Sequence, residues 1–235
     1  MPDGGAPAPV AVVIHGGFWR ARYGRKLMRP LCEDLAERGW IAWNVEYRRL
    51  GHGSGGGWPT TFEDVAAAID HLAEIRTDAR LDLGRVVAIG HSAGGHLATW
   101  AAARPGLPDG APGADPRVPV TAAVAQAGVV DLKLAWELHL SKGVVGELLG
   151  GAPDELPERY ALASPAQRVP LGVPVLLTHG RRDDIVPPEV SRAFARAARD
   201  AGDDDVELVE LEDEDHFGHI DRGSPLWTAV LQWLA

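Results

Sequence analysis

The serine at position 92 stands in a setting that suits covalent chemistry. Residues Gly90–Gly94 read G-H-S-A-G and match the pattern G-x-S-x-G. The motif lies where a predicted strand, Arg85–Gly90, turns into a predicted helix, His91–Ala103, which is the context in which this pattern presents a nucleophilic serine. We therefore predict that Ser92 is a nucleophile. The alternative is an ordinary glycine-rich turn in which the serine only caps the helix.

Two adjacent aspartates compete for the acid that would support such a serine. Asp183 and Asp184 follow the predicted strand Val173–His179. In hydrolases with this serine turn, the chain order is serine, then acid, then histidine. We favour Asp183 because it lies four residues after His179 and four before Pro187. The alternative for both carboxylates is a solvated loop.

Two histidines compete for the general base. His216 and His219 follow the last predicted strand, Val206–Leu211. We favour His216 because it is nearer the strand end and precedes Phe217, which can pack against the ring. In this interpretation His216 takes the proton of Ser92, and the acid holds the imidazole in the required tautomer.

The segment His15–Trp19 reads H-G-G-F-W and follows the predicted strand Val10–Ile14. Hydrolases of this type place backbone donors for an oxyanion in the loop after such a strand. Glycine lets the N–H groups approach the site without obstruction by a Cβ atom. We predict an oxyanion hole made by the amides of Gly17, Phe18 and Ala93. The histidine that opens the segment is expected to make structural hydrogen bonds.

Cofactor and metal sites are not predicted. The segment Gly51–Gly56 matches G-x-G-x-x-G, but it continues into Gly57-Trp58-Pro59 before any helix, so no helix N-terminus is placed for a pyrophosphate. The sequence contains no H-E-x-x-H, and its single cysteine, Cys32, excludes an internal disulfide and a cysteine-based zinc site.

Strands and helices alternate along the chain, which predicts a mostly parallel sheet with helices on both faces. The predicted strands cover residues 10–14, 40–47, 85–90, 118–125, 173–179 and 206–211, and the predicted helices cover 25–38, 60–75, 91–103, 131–149, 188–201 and 225–235. The helix over 131–149 is expected to break at Gly143 and Gly146.

Composition limits the classes of partner. The 235 residues are 46% hydrophobic and carry 23 basic against 33 acidic side chains, for a net charge of −10. Nucleic acids and anionic membranes favour clusters of Lys and Arg, so neither is expected as a partner. No run reaches the roughly 18 apolar residues of a membrane span, and no secretory signal is visible. A single cytoplasmic domain, 1–235, is expected; the sequence does not decide whether it forms a homo-oligomer.

Taken together, these motifs resemble the α/β-hydrolase family over nearly the whole chain. The resemblance rests on H-G-G-F-W, on G-H-S-A-G-G-H-L at Gly90–Leu97, and on D-H-F at Asp215–Phe217. It is strongest toward the kynurenine formamidase (arylformamidase) and small carboxylesterase branch. The resemblance implies a site at the C-terminal edge of the sheet, with Ser92, Asp183 and His216 as the catalytic residues. It also implies hydrolysis of carboxylic esters or N-formyl amides without a cofactor.

Two regional expectations follow from the same resemblance. Family members usually have two strands before the H-G-G strand, whereas nine residues precede Val10 here, so a sheet of about six strands with an exposed edge is expected. Residues 129–172 are long enough for a small helical lid. An apolar lid and tryptophans near the mouth indicate an aromatic or medium-sized acyl substrate, bound by Trp19, Trp58 and Trp136.

The predicted function is a serine hydrolase that acts on small carboxylic esters or aryl N-formyl amides, and the sequence does not choose between them. A peptidase of the prolyl oligopeptidase type is one alternative, but such enzymes carry a large gating domain for which this chain has no room. A non-catalytic binding module on a hydrolase scaffold is the other, and such proteins typically lack a member of the triad.

Overall fold

The computed structural model describes residues 6–235. Its centre is a six-stranded sheet in the order β2-β1-β3-β4-β5-β6, and every neighbouring pair is parallel. The strands are β1 Ala8–Ile14, β2 Ile41–Val45, β3 Leu81–His91, β4 Ala122–Gln126, β5 Val175–Gly180 and β6 Val206–Leu211. The predicted α/β class and parallel sheet are confirmed.

Nine α-helices in residues 6–235 surround this sheet. They are α1 Arg29–Glu37, α2 Thr60–Asp70, α3 Leu72–Ala79, α4 Ala93–Ala103, α5 Leu132–Glu137, α6 Val144–Leu149, α7 Pro157–Ala163, α8 Glu189–Asp200 and α9 Pro225–Leu234. Helices α1 and α9 pack on one face of the sheet, and α2, α4 and α8 pack on the other. Both faces are therefore covered, as all-parallel sheets require.

The strand sequences explain the two-sided core. In β1, the side chains of Val10, Val12 and Ile14 enter one hydrophobic cluster, while those of Ala11 and Val13 enter the other. All five are fully buried. Because successive side chains of a strand point to opposite faces, a strand covered on both sides reads as a continuous apolar run.

Two predicted helices are divided in the structure. The helix predicted over 60–75 becomes α2 and α3, which meet at His71, and the one predicted over 131–149 becomes α5 and α6. Between α5 and α6, the non-glycine residues His139, Ser141 and Lys142 have φ angles of 52°, 47° and 62°. The break expected at Gly143 is present, with a φ angle of 81° there, although the left-handed backbone already begins at His139. Helix α6 continues through Gly146, where the second break was expected.

Helices α5, α6 and α7 all lie between β4 and β5 and form the helical insertion expected over residues 129–172. Within the described part of the chain, no helix combines the length and apolar character that crossing a bilayer requires.

Candidate active site

Ser92 occupies a strained turn between β3 and α4. Its φ and ψ are 57° and −119°, outside the ordinary regions for a residue with a side chain. A Cβ atom at Gly90 would lie 2.0 Å from the carbonyl oxygen of Gly94, and one at Gly94 would lie 2.1 Å from the carbonyl oxygen of Ile14. The two glycines of the motif therefore let strand and helix approach closely enough to form the turn.

The acid and the histidine are joined directly. Nδ1 of His216 and Oδ2 of Asp183 are 2.7 Å apart, and both residues are buried. The other carboxylate oxygen, Oδ1, accepts the backbone N–H groups of Ile185 at 2.9 Å and Val186 at 2.8 Å. The neighbouring Asp184 is exposed. Of the two adjacent aspartates, the structure thus pairs Asp183 with the histidine.

A second histidine, His179, also contacts the carboxylate of Asp183. Nε2 of His179 lies 3.3 Å from Oδ2 of Asp183 and 2.8 Å from the carbonyl oxygen of Val186, while its Nδ1 contacts the hydroxyl of Ser191 at 2.7 Å. Burial works against ionisation of Asp183, but hydrogen bonds from His179 and His216 hold the pKa of this carboxyl well below its usual range. The group is therefore a carboxylate at neutral pH. No motif in the sequence marks His179 as its partner.

His219, the alternative base, lies deeper. It is fully buried, and its Nδ1 contacts the hydroxyl of Thr178 at 3.2 Å. Burial lowers the pKa of His219 well below its ordinary value, with further lowering from the neighbouring histidines His91, His179 and His216. The structure places His216, and not His219, against the acid.

Ser92 and His216 line one cavity of about 100 Å³. Its other lining residues come from loops at the same edge of the sheet and are Gly17, Phe18, Tyr23, Leu27, His91, Ile185 and Phe217. Tyr23 and Phe217 are 40% and 52% exposed and are two of the three large hydrophobic residues exposed in residues 6–235. The serine therefore lies in a small apolar cavity with aromatic rings exposed to solvent.

Backbone amides lie beside the serine. Gly17 and Phe18 line the cavity and have φ angles of 110° and 51°, and Ala93 is the first residue of α4. The first N–H groups of a helix have no acceptor within the helix. The three residues predicted for an oxyanion hole thus come from the two segments that flank Ser92.

His15 has contacts on both ring nitrogens. Nε2 lies 2.8 Å from a carboxylate oxygen of Glu46, and Nδ1 lies 2.8 Å from the carbonyl oxygen of Gly16. The ring stacks on Tyr47 at 4.4 Å. These contacts tie the H-G-G loop to the end of β2 and fit the structural role expected of His15.

None of the three tryptophans predicted to bind substrate lines the cavity that holds Ser92. Trp19 is fully buried and meets His96 edge-on at 5.2 Å. Trp58 lines a different cavity beside α7. The ring of Trp136 packs against the backbone of Gly146, where an added Cβ atom would come within 2.4 Å of it.

Backbone conformation accounts for the burial of Trp19. Phe18 and Trp19 both have positive φ angles, 51° and 55°, in a turn closed by the N–H of Arg20 donating to the carbonyl of Gly17. Phe18 then lines the cavity while Trp19 enters the core. The direction of a side chain in such a turn does not follow from its position in the motif.

The helical insertion also lies apart from the cavity. The lining residues of the cavity include none from 129–172. The insertion is held by the N–H of Trp58 donating to the carbonyl of Leu148 at 2.7 Å, by an ion pair of Arg20 with Glu147 at 2.7 Å, and by contacts with α4. It packs beside the site, and the lid expected from the sequence does not line the cavity.

Across residues 6–235, no group of three histidine, cysteine, aspartate or glutamate side chains is arranged to hold a metal ion.

The parallel sheet, with a strained serine after β3 and an acid–histidine pair from the loops after β5 and β6, places the protein in the class of α/β hydrolases. Within that class, the sequence matches the BD-FAE family over residues 1–197, and the chain belongs to this family. The matched region contains Ser92 and Asp183 and ends before the loop of His216.

Three similar curated proteins are esterases or carboxylic ester hydrolases by name. Esterase LipQ from Mycobacterium tuberculosis is 33% identical over 218 residues, which cover 90% of this chain and 51% of LipQ. The chain spans about half the length of the curated relatives it matches. An acetyl ester-xyloside bifunctional hydrolase from Caldicellulosiruptor lactoaceticus superimposes with a TM-score of 0.79 at 24% identity, covering 100% of this chain and 85% of the other.

A second solved structure is esterase 2 from Thermogutta terrifontis. Its butyrate-bound form has a TM-score of 0.75 and 26% identity, over 97% of this chain and 82% of the esterase. A form of the same esterase phosphonylated by sarin has a TM-score of 0.77.

Proposed function

We propose that the protein hydrolyses small carboxylic esters through an acyl-enzyme on Ser92. The observation that carries this proposal is the Asp183–His216 pair, joined at 2.7 Å, whose histidine lines the same cavity as the strained serine. A nucleophile at a strained turn, a base beside it and an acid behind the base are the elements of serine hydrolysis.

In the first half of the reaction, the hydroxyl oxygen of Ser92 attacks the ester carbonyl carbon while His216 takes the hydroxyl proton. The carbonyl oxygen becomes an oxyanion, which the N–H groups of Gly17, Phe18 and Ala93 stabilise by hydrogen bonds. The bond between the carbonyl carbon and the alcohol oxygen then breaks. His216 gives its proton to the departing alcohol, and the acyl group remains on the serine.

In the second half, His216 takes a proton from a water molecule, which attacks the acyl-enzyme by the same route. Collapse of this second oxyanion releases the carboxylic acid and returns the proton to Ser92. Asp183 stays ionised throughout, orients the imidazole through Nδ1 and stabilises the imidazolium that forms in each half. Its depressed pKa suits this role, because the carboxylate then keeps its charge at neutral pH.

The small cavity supports a short acyl group. At about 100 Å³ it lies below the range of roughly 300–1,000 Å³ that holds drug-sized ligands. The similar Thermogutta terrifontis esterase is solved with butyrate and with sarin on the enzyme, and both carry small groups.

Aryl N-formyl amides are the second substrate class that we propose, in line with the resemblance to kynurenine formamidases. A formyl group is the smallest acyl group, and the exposed rings of Tyr23 and Phe217 would contact the aryl part. Steady-state kinetics on N-formylkynurenine and on p-nitrophenyl acetate, measured side by side, decide between the two classes.

The test of the nucleophile is Ser92→Ala together with labelling by a fluorophosphonate probe. Wild-type protein should be labelled at Ser92, whereas Ser92→Ala should lose labelling and fall in kcat by as much as about 10⁶-fold, the loss known for removal of the nucleophile in a related triad. Ser164→Ala is the matched control, because Ser164 is equally buried but its hydroxyl only accepts the N–H of Leu132. More than a few per cent of activity in Ser92→Ala would overturn the assignment.

A further inference from the structure

A row of buried polar side chains crosses the centre of the sheet at one register. In the strand pairing, His91 of β3 is opposite Gln126 of β4, and Gln126 is opposite Thr178 of β5. The three are 2%, 0% and 0% exposed. Polar groups buried this deeply are costly unless they are hydrogen-bonded, so their partners are informative.

All three find a partner in one short loop, the segment 216–219 after β6. His91 donates from Nε2 to the backbone carbonyl of His216 at 2.9 Å. Gln126 donates from Nε2 to the backbone carbonyl of His219 at 2.9 Å, and the hydroxyl of Thr178 contacts Nδ1 of the same histidine at 3.2 Å. Three adjacent strands thus hold the loop that carries the base.

The protonation state of His91 suits this arrangement. Burial, with a smaller contribution from His216, lowers the pKa of His91 to about 3, so its ring is neutral at pH 7. A neutral imidazole has one N–H, and the contact with the carbonyl of His216 requires it on Nε2. The His91 and His216 rings also pack at 4.6 Å. His91 therefore helps to hold the loop of His216 without placing a positive charge beside it.

The same loop is shaped locally by Asp215, whose Oδ1 accepts the N–H groups of Phe217 and Gly218 at 2.8 and 3.1 Å. That turn fixes the form of the loop, but it lies on exposed residues and does not connect the loop to the sheet. The loop is connected to the sheet by hydrogen bonds from the side chains of His91 and Gln126. The contact between His216 and Asp183 joins it to the loop after β5.

We propose that His91, Gln126 and Thr178 are positioning residues that set the place of His216 relative to Ser92. This inference rests on the proposed function, because it assigns a purpose to the loop only if His216 is the base. Gln126 and Thr178 are outside the residues that line the cavity, so they act through the loop and not on substrate. A purely structural role would instead stabilise the fold and leave turnover by folded enzyme unchanged.

The experiment compares Gln126→Leu and Thr178→Val with Thr178→Ser and Thr99→Val, using p-nitrophenyl acetate. Thr178→Ser keeps the hydroxyl and loses the methyl group. Thr99→Val is the matched control, since Thr99 is equally buried and its hydroxyl donates within α4 to the carbonyl of Gly95 at 2.9 Å. Kinetic constants are expressed per active site titrated, and unfolding is followed for each variant.

We expect kcat to fall about tenfold in Gln126→Leu and Thr178→Val with KM unchanged, because a displacement of about 1 Å at a catalytic group can cost a hundredfold. The rate of fluorophosphonate labelling should fall in parallel, since labelling also needs Ser92 to be deprotonated. Thr178→Ser should restore kcat, and Thr99→Val should lower stability alone.

Two outcomes would overturn the inference. One is kcat at the wild-type value in Gln126→Leu and Thr178→Val with only the unfolding midpoint lowered, which would make the row structural. The other is an equal loss of kcat in Thr99→Val, which would make the effect nonspecific. Failure of the proposed function is separate, because wild-type protein would then show neither turnover nor labelling at Ser92.

Discussion

The two carboxylate oxygens of Asp183 have four hydrogen-bonding contacts, and the two oxygens have different kinds of partner. Oδ1 accepts two backbone N–H groups from its own loop, and Oδ2 faces His216 at 2.7 Å and His179 at 3.3 Å. The backbone contacts fix the direction of the carboxylate, and the histidine contacts stabilise its negative charge. A buried carboxylate with this many partners stays ionised at a defined position.

Asp183→Asn and Asp184→Asn should therefore differ greatly. We expect Asp183→Asn to lower kcat by about 10⁴-fold, the loss that accompanies an incorrect histidine tautomer in a related triad. Asp184 is exposed, and its substitution should stay within about twofold, as surface changes usually do. Steady-state kinetics on p-nitrophenyl acetate measure both, and equal rates for the two variants would contradict the assignment of the acid.

The position of an individual site residue can be predicted from the sequence where a motif fixes the backbone around it. Ser92 follows from its flanking glycines, and the pairing of Asp183 with His216 follows from the order of loops along a parallel sheet. Positions that depend on strand register, such as Gln126, carry no local pattern and were missed. Trp19 was misplaced because a positive φ angle turns its side chain into the core.

Helix α4 shows how one element serves both the site and the core. It begins at the serine turn, and each of its residues is buried. Four residues after Ser92, the ring of His96 donates from Nε2 to the carbonyl of Ala163 at 2.9 Å, which links α4 to the end of α7. The helix that follows Ser92 is thereby tied to the insertion.

His96 should make stability depend on pH. Burial lowers the pKa of His96 to about 4, against about 6.5 in an unfolded chain. Because the unfolded state binds the proton more readily, the stabilisation is complete above pH 6.5 and declines as the pH falls toward 4.

The variant His96→Gln tests whether His96 causes this loss of stability at low pH. Its amide can still donate to the carbonyl of Ala163 but does not titrate, so the loss of unfolding free energy between pH 6.5 and 4 should be smaller than in wild type. Urea unfolding at pH 4.5, 5.5 and 6.5 gives the comparison. Curves of identical slope for the two proteins would show that His96 does not contribute.

Element type was easier to predict than element ends. Apolar β-branched runs such as Val10–Ile14 mark strands buried on both faces, and the sheet of six parallel strands was expected from them. A break is expected at Gly143 and is found there, whereas the left-handed conformation of the non-glycine residues His139, Ser141 and Lys142 has no signal in the sequence.

In the molecule as a whole, the loops at one edge of the sheet enclose a cavity of about 100 Å³. The rings of Tyr23 and Phe217, which line this cavity, are exposed to solvent. The volume that the proposed acyl group would occupy is therefore set by loop side chains, among them Leu27 from the turn that precedes α1. The helical insertion, which the sequence suggested as a lid, contributes no lining residue.

Acyl-chain preference should follow this geometry. We expect kcat/KM for p-nitrophenyl acetate to exceed that for the octanoate by about tenfold or more, since a single methylene in a pocket is worth about 10–200-fold. Leu27→Ala should reduce this preference by enlarging the cavity, whereas Leu156→Ala, in the separate cavity beside α7, should leave it unchanged. A wild-type preference for octanoate would contradict the proposal of a short acyl group.

The parallel order of the sheet has a consequence for how the chain reaches its native state. No two neighbouring strands are joined by a hairpin, so every pairing closes a long stretch of chain, and such topologies fold slowly. Ser92 follows β3, Asp183 follows β5 and His216 follows β6, an outer strand of the sheet. On the proposed mechanism, a partly folded chain without β6 would hold Ser92 but would have no base, and it would not hydrolyse esters. Recovery of ester hydrolysis during refolding would then report the docking of β6, which far-UV signals from the inner strands and helices would not.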